Sequence, residues 1–320
     1  MILREEIDAI LSNAVLKEER GVAAYKYKGV VDEIIKYCNE YVKPGNVISS
    51  FFKNIFGGNK KYNVTIPREI TKKIDFIENL DVVITLEEMG SPYVTNSGGG
   101  HIEYFKGPDG YFTKDGKIYR GKIVVEGYHH NGKILTRTIT NTIYHELNHA
   151  YDIWNRKKAK LFVDEYSSDV NKGYYVKDNL VFSADERVNN FFREIFYRLF
   201  IPTELNALVS GVYGDLRGMD SKRGNYRKDI HNTQAAWILD EFAENFDNFM
   251  SNASIEILMD ACKIMHIDGV SMQDPYTFVT TFKQVFEKKM RAAWKGVGRA
   301  ASRWYDDKEE MENDNNLKTL

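Results

Sequence analysis

The stretch Thr140-Asn141-Thr142-Ile143-Tyr144-His145-Glu146-Leu147-Asn148-His149-Ala150-Tyr151-Asp152 contains one complete His-Glu-x-x-His motif, and the rest of the chain can be read outward from it. On a helix of about 3.6 residues per turn, positions four apart lie one above the other, so His145 and His149 offer two imidazoles to one metal ion. Glu146 sits one step round the helix, where its carboxylate can take a proton from a metal-activated water. Ile143, Leu147, Ala150 and Trp154 form an apolar stripe at helical spacing, which belongs in a core. The histidine face then lies away from the stripe and borders a cleft. The competing reading is a surface helix whose two histidines only hydrogen-bond to their surroundings.

A catalytic zinc site takes about three protein ligands and leaves the next position to water. After His149 the chain reads Ala150-Tyr151-Asp152-Ile153-Trp154-Asn155-Arg156, which excludes a third histidine at the usual short spacing. Three later glutamates compete for the role. Glu165 begins Glu165-Tyr166-Ser167-Ser168-Asp169, whose aspartate, one helical turn on, could hold a ligating histidine. Glu186 opens an aromatic-rich helix, and Glu204 opens the next one in Pro202-Thr203-Glu204-Leu205-Asn206-Ala207. Acidic residues also favour a helix's first turn simply because they offset its dipole, so the residues alone leave the choice open.

Upstream of the motif, residues 60–134 alternate short β-branched runs with turn formers. Tyr62–Ile66 and Val82–Leu86 read as strands, and Pro108-Asp109-Gly110, Asp115-Gly116 and Asn131-Gly132 read as turns between further strands. This predicts a twisted, mostly antiparallel sheet feeding directly into the motif helix. The edge near Ile123-Val124-Val125-Glu126 could pair with an extended peptide. His129 and His130 read as exposed turn residues, and Ser97-Gly98-Gly99-Gly100 as a hairpin loop, since it lacks the ending of a phosphate cradle.

The flanks are helical. Ile7, Ile10, Leu11 and Val15, then Val31, Ile34, Ile35 and Cys38, mark apolar faces in the N-terminal part. Downstream, the motif helix should fade near Lys157-Lys158, followed by a mixed segment to Asn179. Val188, Phe191, Phe192, Ile195, Phe196, Leu199 and Phe200 form a dense apolar face that ends before Pro202. Residues 214–232 read as a solvated basic loop, and helical patterning returns from Thr233 to Ile267 and from Pro275 to Trp294. Trp237, Phe242, Phe246 and Phe249 are core candidates there. The expected divisions are a helical part over 1–59, a central domain over 60–215, a helical part over 216–305, and a disordered acidic tail over 306–320.

With 43% hydrophobic and 28% charged residues the chain has the composition of an ordinary globular protein. A formal net charge of -2, mixed along the chain, argues against binding nucleic acid by bulk electrostatics. Cys38 and Cys262 stand alone, which excludes a cysteine zinc site and makes both small buried hydrophobes. No run of about 18 apolar residues points to a membrane partner. The opening Met1-Ile2-Leu3-Arg4-Glu5-Glu6 carries charges where a signal peptide needs an apolar run, so a cytoplasmic location is expected.

His145-Glu146-Leu147-Asn148-His149-Ala150, with the sheet before it and the glutamate helix after it, resembles the zincin metallopeptidases of the gluzincin type over residues 60–215. In those families a glutamate on a later helix completes the site, often with Ala and Asp or Asn just behind it. Glu204-Leu205-Asn206-Ala207 is similar, with the last two in reversed order. The chain is also similar to HELxHA proteins of phages and bacteria. The resemblance implies an α+β zincin-like domain, Zn²⁺ held by His145, His149 and Glu204, and Glu146 as general base in peptide hydrolysis, with Glu165 and Glu186 as alternative ligands. Asp152 or Asn206 would orient a histidine, a Tyr or His would steady the oxyanion, and a peptide or protein would be the substrate. The alternative it leaves is a structural or assembly protein of a phage particle on the same scaffold, with a virion-associated location.

Overall fold

The computed structural model of the chain describes residues 4–16, 26–43, 61–89, 99–156 and 162–318. In chain order the helices are α1 (Arg4–Leu16), α2 (Lys28–Val42), α3 (Arg68–Thr71), α4 (Thr136–Arg156), α5 (Phe162–Asn179), α6 (Glu186–Glu194), α7 (Pro202–Gly218), α8 (Tyr226–His231), α9 (Gln234–Met250), α10 (Ile255–Ile264) and α11 (Pro275–Lys318). The strands are β1 (Lys61–Thr65), β2 (Ile77–Glu88), β3 (Gly100–Phe105), β4 (Ile118–His130) and β5 (Lys133–Ile134). The class is α+β, as expected. Val22–Asn155 and Tyr213–Ser221 form one compact unit, and Met1–Gly21, Arg156–Val212 and Lys222–Leu320 the other. Helix α7 therefore belongs to both, and the units cross the divisions expected at residues 59 and 215.

In the first of these units the sheet is mixed. Its order is β1-β2-β4-β3, with β5 paired to the end of β4. The longest pairing, β2 with β4, is parallel from Ile77↔Ile118 to Glu88↔His129, whereas β1–β2, β3–β4 and β4–β5 are antiparallel. The expectation of a mostly antiparallel sheet misses this central parallel pair. Turn residues reveal that the chain reverses, but β4 inserts between β2 and β3, and two reversals leave it parallel to β2. The same insertion corrects the expected peptide-binding edge. Ile123 to Val125 pair with β2 on one side and β3 on the other, so among the described residues the edge strand here is β3.

One face of the sheet is buried at every second residue, through Leu80, Val82, Ile84 and Leu86 of β2 and Ile123 and Val125 of β4. Helix α4 covers that face. A Cβ on Gly127 would come within 2.5 Å of Ile139 Cγ1, so the glycine lets the helix settle against the strand. Asn131 and Gly132 both have positive φ, 49° and 72°, which makes the two-residue hairpin turn the sequence announced. That hairpin delivers the chain to the start of α4, where Ile139, Ile143, Leu147 and Ala150 form its buried stripe. His129 and His130 end strand β4 and are not exposed turn residues. His129 is buried against the Tyr62 ring, and His130 Nδ1 lies 2.8 Å from the Met89 carbonyl.

The other unit is built on phenylalanine. Phe182 stacks on Phe196, Phe196 on Phe282, and Phe246 on Phe286, while Phe191 meets Phe242 edge-on. Asp185, Thr233 and Ser254 cap α6, α9 and α10 by accepting a backbone N–H two or three residues on. Several expectations fail here. Residues 162–179 are helical, not a mixed segment. The supposed loop over 214–232 contains the end of α7 and all of α8. Trp237, expected in the core, is 64% exposed because it lies on the face of α9 opposite Ala235, Leu239 and Phe246. The tail expected from residue 306 continues α11, with Asp307 buried and Asp306 paired to Arg223. Polar composition suggested disorder there, but long-range ion pairs hold the helix. Among the described residues no helix is long and apolar enough to cross a membrane.

Candidate metal centre

His145 and His149 stand one turn apart on α4 with their Nε2 atoms 3.2 Å from each other and their rings 78° apart. Two ligand nitrogens at about 2.0–2.1 Å from a tetrahedral zinc ion are separated by about 3.3–3.4 Å, so the pair is spaced as such ligands are. Burial lowers the His149 imidazole to about 4, which keeps it neutral near neutral pH, the form that ligates. The same spacing also suits a hydrogen bond between two neutral imidazoles. The carboxylate partner distinguishes the two readings.

Helix α7 brings that partner. Gly214 and Gly218, four apart, lie against α4, where a Cβ would stand 2.7 Å from the Asn141 backbone nitrogen and 2.5 Å from Arg137 Cα. The Thr140 hydroxyl donates to the Gly214 carbonyl at 3.1 Å, and Arg137 Nε pairs with buried Asp215 at 3.2 Å. Gly218 faces Arg137 and Gly214 faces Asn141, so the helices run antiparallel. Glu204 is buried in the first turn of α7. His145, His149 and Glu204 each offer one ligand atom, and these atoms all lie within 4.8 Å of one another.

The surroundings of Glu204 are polar and specific. Burial pushes its carboxyl up to about 7, against the pull of the Arg198 guanidinium, a hydrogen bond with Tyr197 and the Lys177 ammonium. Two imidazoles and a buried carboxyl group form a donor set that could hold a metal ion. Glu146 is buried beside this group, 4% exposed. Gly100, which opens β3, makes room for it, since a Cβ there would lie 3.2 Å from Glu146 Oε1 and 2.3 Å from Thr142 Cγ2.

Of the competing glutamates, Glu186 is the first residue of α6, with its side chain 72% exposed and 4.0 Å from Arg193, and is not part of the cluster. The side chain of Glu165 lies outside the described residues. Asp152 is half-buried and Asn206 exposed. The sequence reading missed Tyr197, Gly100 and the Gly214/Gly218 pair. The four-residue glycine spacing on a helix was a legible signal, whereas nothing in the order of residues marks Tyr197 or Gly100. Compared with protein-family models, curated proteins and solved structures, the chain matches none.

Proposed function

We propose that the chain is a zinc-dependent metallopeptidase of the zincin, gluzincin-like type, acting on a peptide or protein. The observation that carries the reading is the convergence of His145, His149 and Glu204 on one point, with Glu146 on the same helix as the histidines. His145 and His149 hold the ion through neutral nitrogens, and Glu204 supplies the negative charge. A bound zinc ion supplies Lewis acidity, which polarises a carbonyl and makes water a stronger acid. Glu146 accepts the proton of the attacking water on its carboxylate and delivers it to the leaving amine. Its burial keeps bulk water from competing for that proton.

The free edge of β3 presents backbone donors and acceptors from Gly100 onward, next to Glu146. An extended peptide pairing there lies with its backbone along the catalytic carboxylate. The test is hydrolysis of an unfolded protein and a peptide library by wild type and Glu146→Gln. Glu146→Gln should retain the metal and lose about 10³-fold or more in kcat, the order expected when a general base is removed. A variant as active as wild type would exclude Glu146 as the base.

A further inference from the structure

We propose that Glu126 selects peptides with a lysine or arginine close to the bond being cleaved, meeting that side chain over Gly99 at the start of β3. The inference rests on the peptidase reading above and names its substrate class, a basic peptide in extended form. In the β3–β4 pair Gly100 lies opposite Val125 and His101 opposite Val124. The Glu126 N–H donates to the Gly99 carbonyl at 2.7 Å, which carries the pairing one residue further. Successive residues of a strand point to opposite faces, so the two glycines face opposite ways. A Cβ on Gly100 would lie 3.2 Å from Glu146 Oε1, on the α4 side, and one on Gly99 would lie 3.1 Å from Glu126 Oε2 on the other. The start of the edge strand therefore has a carboxylate on each face, the proposed general base on one and Glu126 on the other.

On the face turned from α4 the other charges of these two strands are already paired. Glu103 lies 3.2 Å from His101 and 3.9 Å from Lys122, and Arg120 lies 2.8 Å from Asp81. Glu126 is exposed and has no cationic partner among the described residues. Its carboxylate leans over Gly99 on the neighbouring strand, which leaves it about one strand spacing, ~4.8 Å, from a peptide paired with the β3 edge. A side chain at position 99 would stand in that path. The peptide residue opposite Gly99 points its side chain to the face of Glu126, and the next one points to the face of Glu146. The charge is thus read one residue from the catalytic carboxylate. An exposed carboxylate attracts a lysine or arginine and repels an acidic side chain, an effect worth about 2- to 5-fold in affinity and screened by salt.

The experiment measures binding by fluorescence anisotropy to zinc-loaded Glu146→Gln, which on the proposed reading holds a peptide without cleaving it. The probes are short, labelled, otherwise neutral peptides carrying Lys, Gln or Glu at each position in turn. Three proteins are compared in that background, with Glu126 intact, with Glu126→Gln and with Glu126→Lys. Residue 126 is exposed, so all three are expected to fold, and a melting curve of each checks it. With Glu126 intact, Lys at one position should tighten binding about 2- to 5-fold over Gln and further over Glu, an advantage that high salt removes. The preference should vanish in Glu126→Gln and turn toward Glu in Glu126→Lys. An unchanged lysine preference in Glu126→Gln, or none with Glu126 intact, overturns this proposal. If wild type still hydrolyses the peptides in that case, the peptidase reading stands. If it neither cleaves nor binds any of them, that reading falls and this one with it.

Discussion

Gly100 and Asn148 illustrate opposite ways in which single residues serve the site. A methyl group at position 100 would press on Thr142 and on Glu146 Oε1, moving the carboxylate that takes the proton in the proposed reaction. Gly100→Ala should therefore lower kcat/KM by about 10- to 100-fold, the scale set by small misplacements of reacting groups, while zinc content stays at the wild-type level. Steady-state kinetics with elemental analysis checks both halves. Asn148, between His145 and His149, is 1% exposed, and neither of its amide atoms has a hydrogen-bond partner among the described residues. A buried polar group without partners opposes folding, so Asn148→Leu should raise stability by about 1 kcal/mol or more in denaturant melts. A loss of stability would mean that the amide is satisfied in solution.

At the scale of elements, Gly214 and Gly218 let α7 cross close to α4, and on the proposed reading Glu204 of the same helix is the third ligand. Gly214→Val places two methyl groups against the Asn141 backbone and should destabilise the protein by about 1–3 kcal/mol, as overpacked positions do. It should also weaken zinc binding, although residue 214 touches no ligand. Normal zinc affinity in that variant would show that Glu204 is placed without the crossing. The elements that the sequence revealed were those with local causes. The Asn131-Gly132 hairpin, the apolar stripe of α4 and the start of α7 at Pro202 each follow from near neighbours in the chain. Strand order, the outward face of Trp237 and the helical segments at 214–218 and 226–231 depend on partners far away in sequence, and local pattern carries no record of them. His145, Glu146 and His149 were legible for the same local reason. Glu204 needed a resemblance to be preferred, since three glutamates shared its local character.

At the scale of the molecule, each compact unit carries one free cysteine, both fully buried. Burial pushes the Cys38 thiol up to about 12 and also raises that of Cys262, so neither forms thiolate across the working pH range. Native protein should resist a thiol reagent from pH 7 to pH 9, with no rise in rate as pH increases. In denaturant each thiol should become reactive only when its own unit opens, so the two labelling curves report the two units separately. Rapid labelling of either cysteine in native protein would contradict the burial of Cys38 on α2 or of Cys262 on α10.

The account stands on three side chains meeting at one ion, and zinc content measures that most directly. Elemental analysis should give about one zinc per chain in wild type, in Glu146→Gln and in the Ala variants of Glu165 and Glu186, and close to none in His149→Ala and Glu204→Ala. Wild-type protein without stoichiometric zinc, or Glu204→Ala that keeps it, would contradict the account.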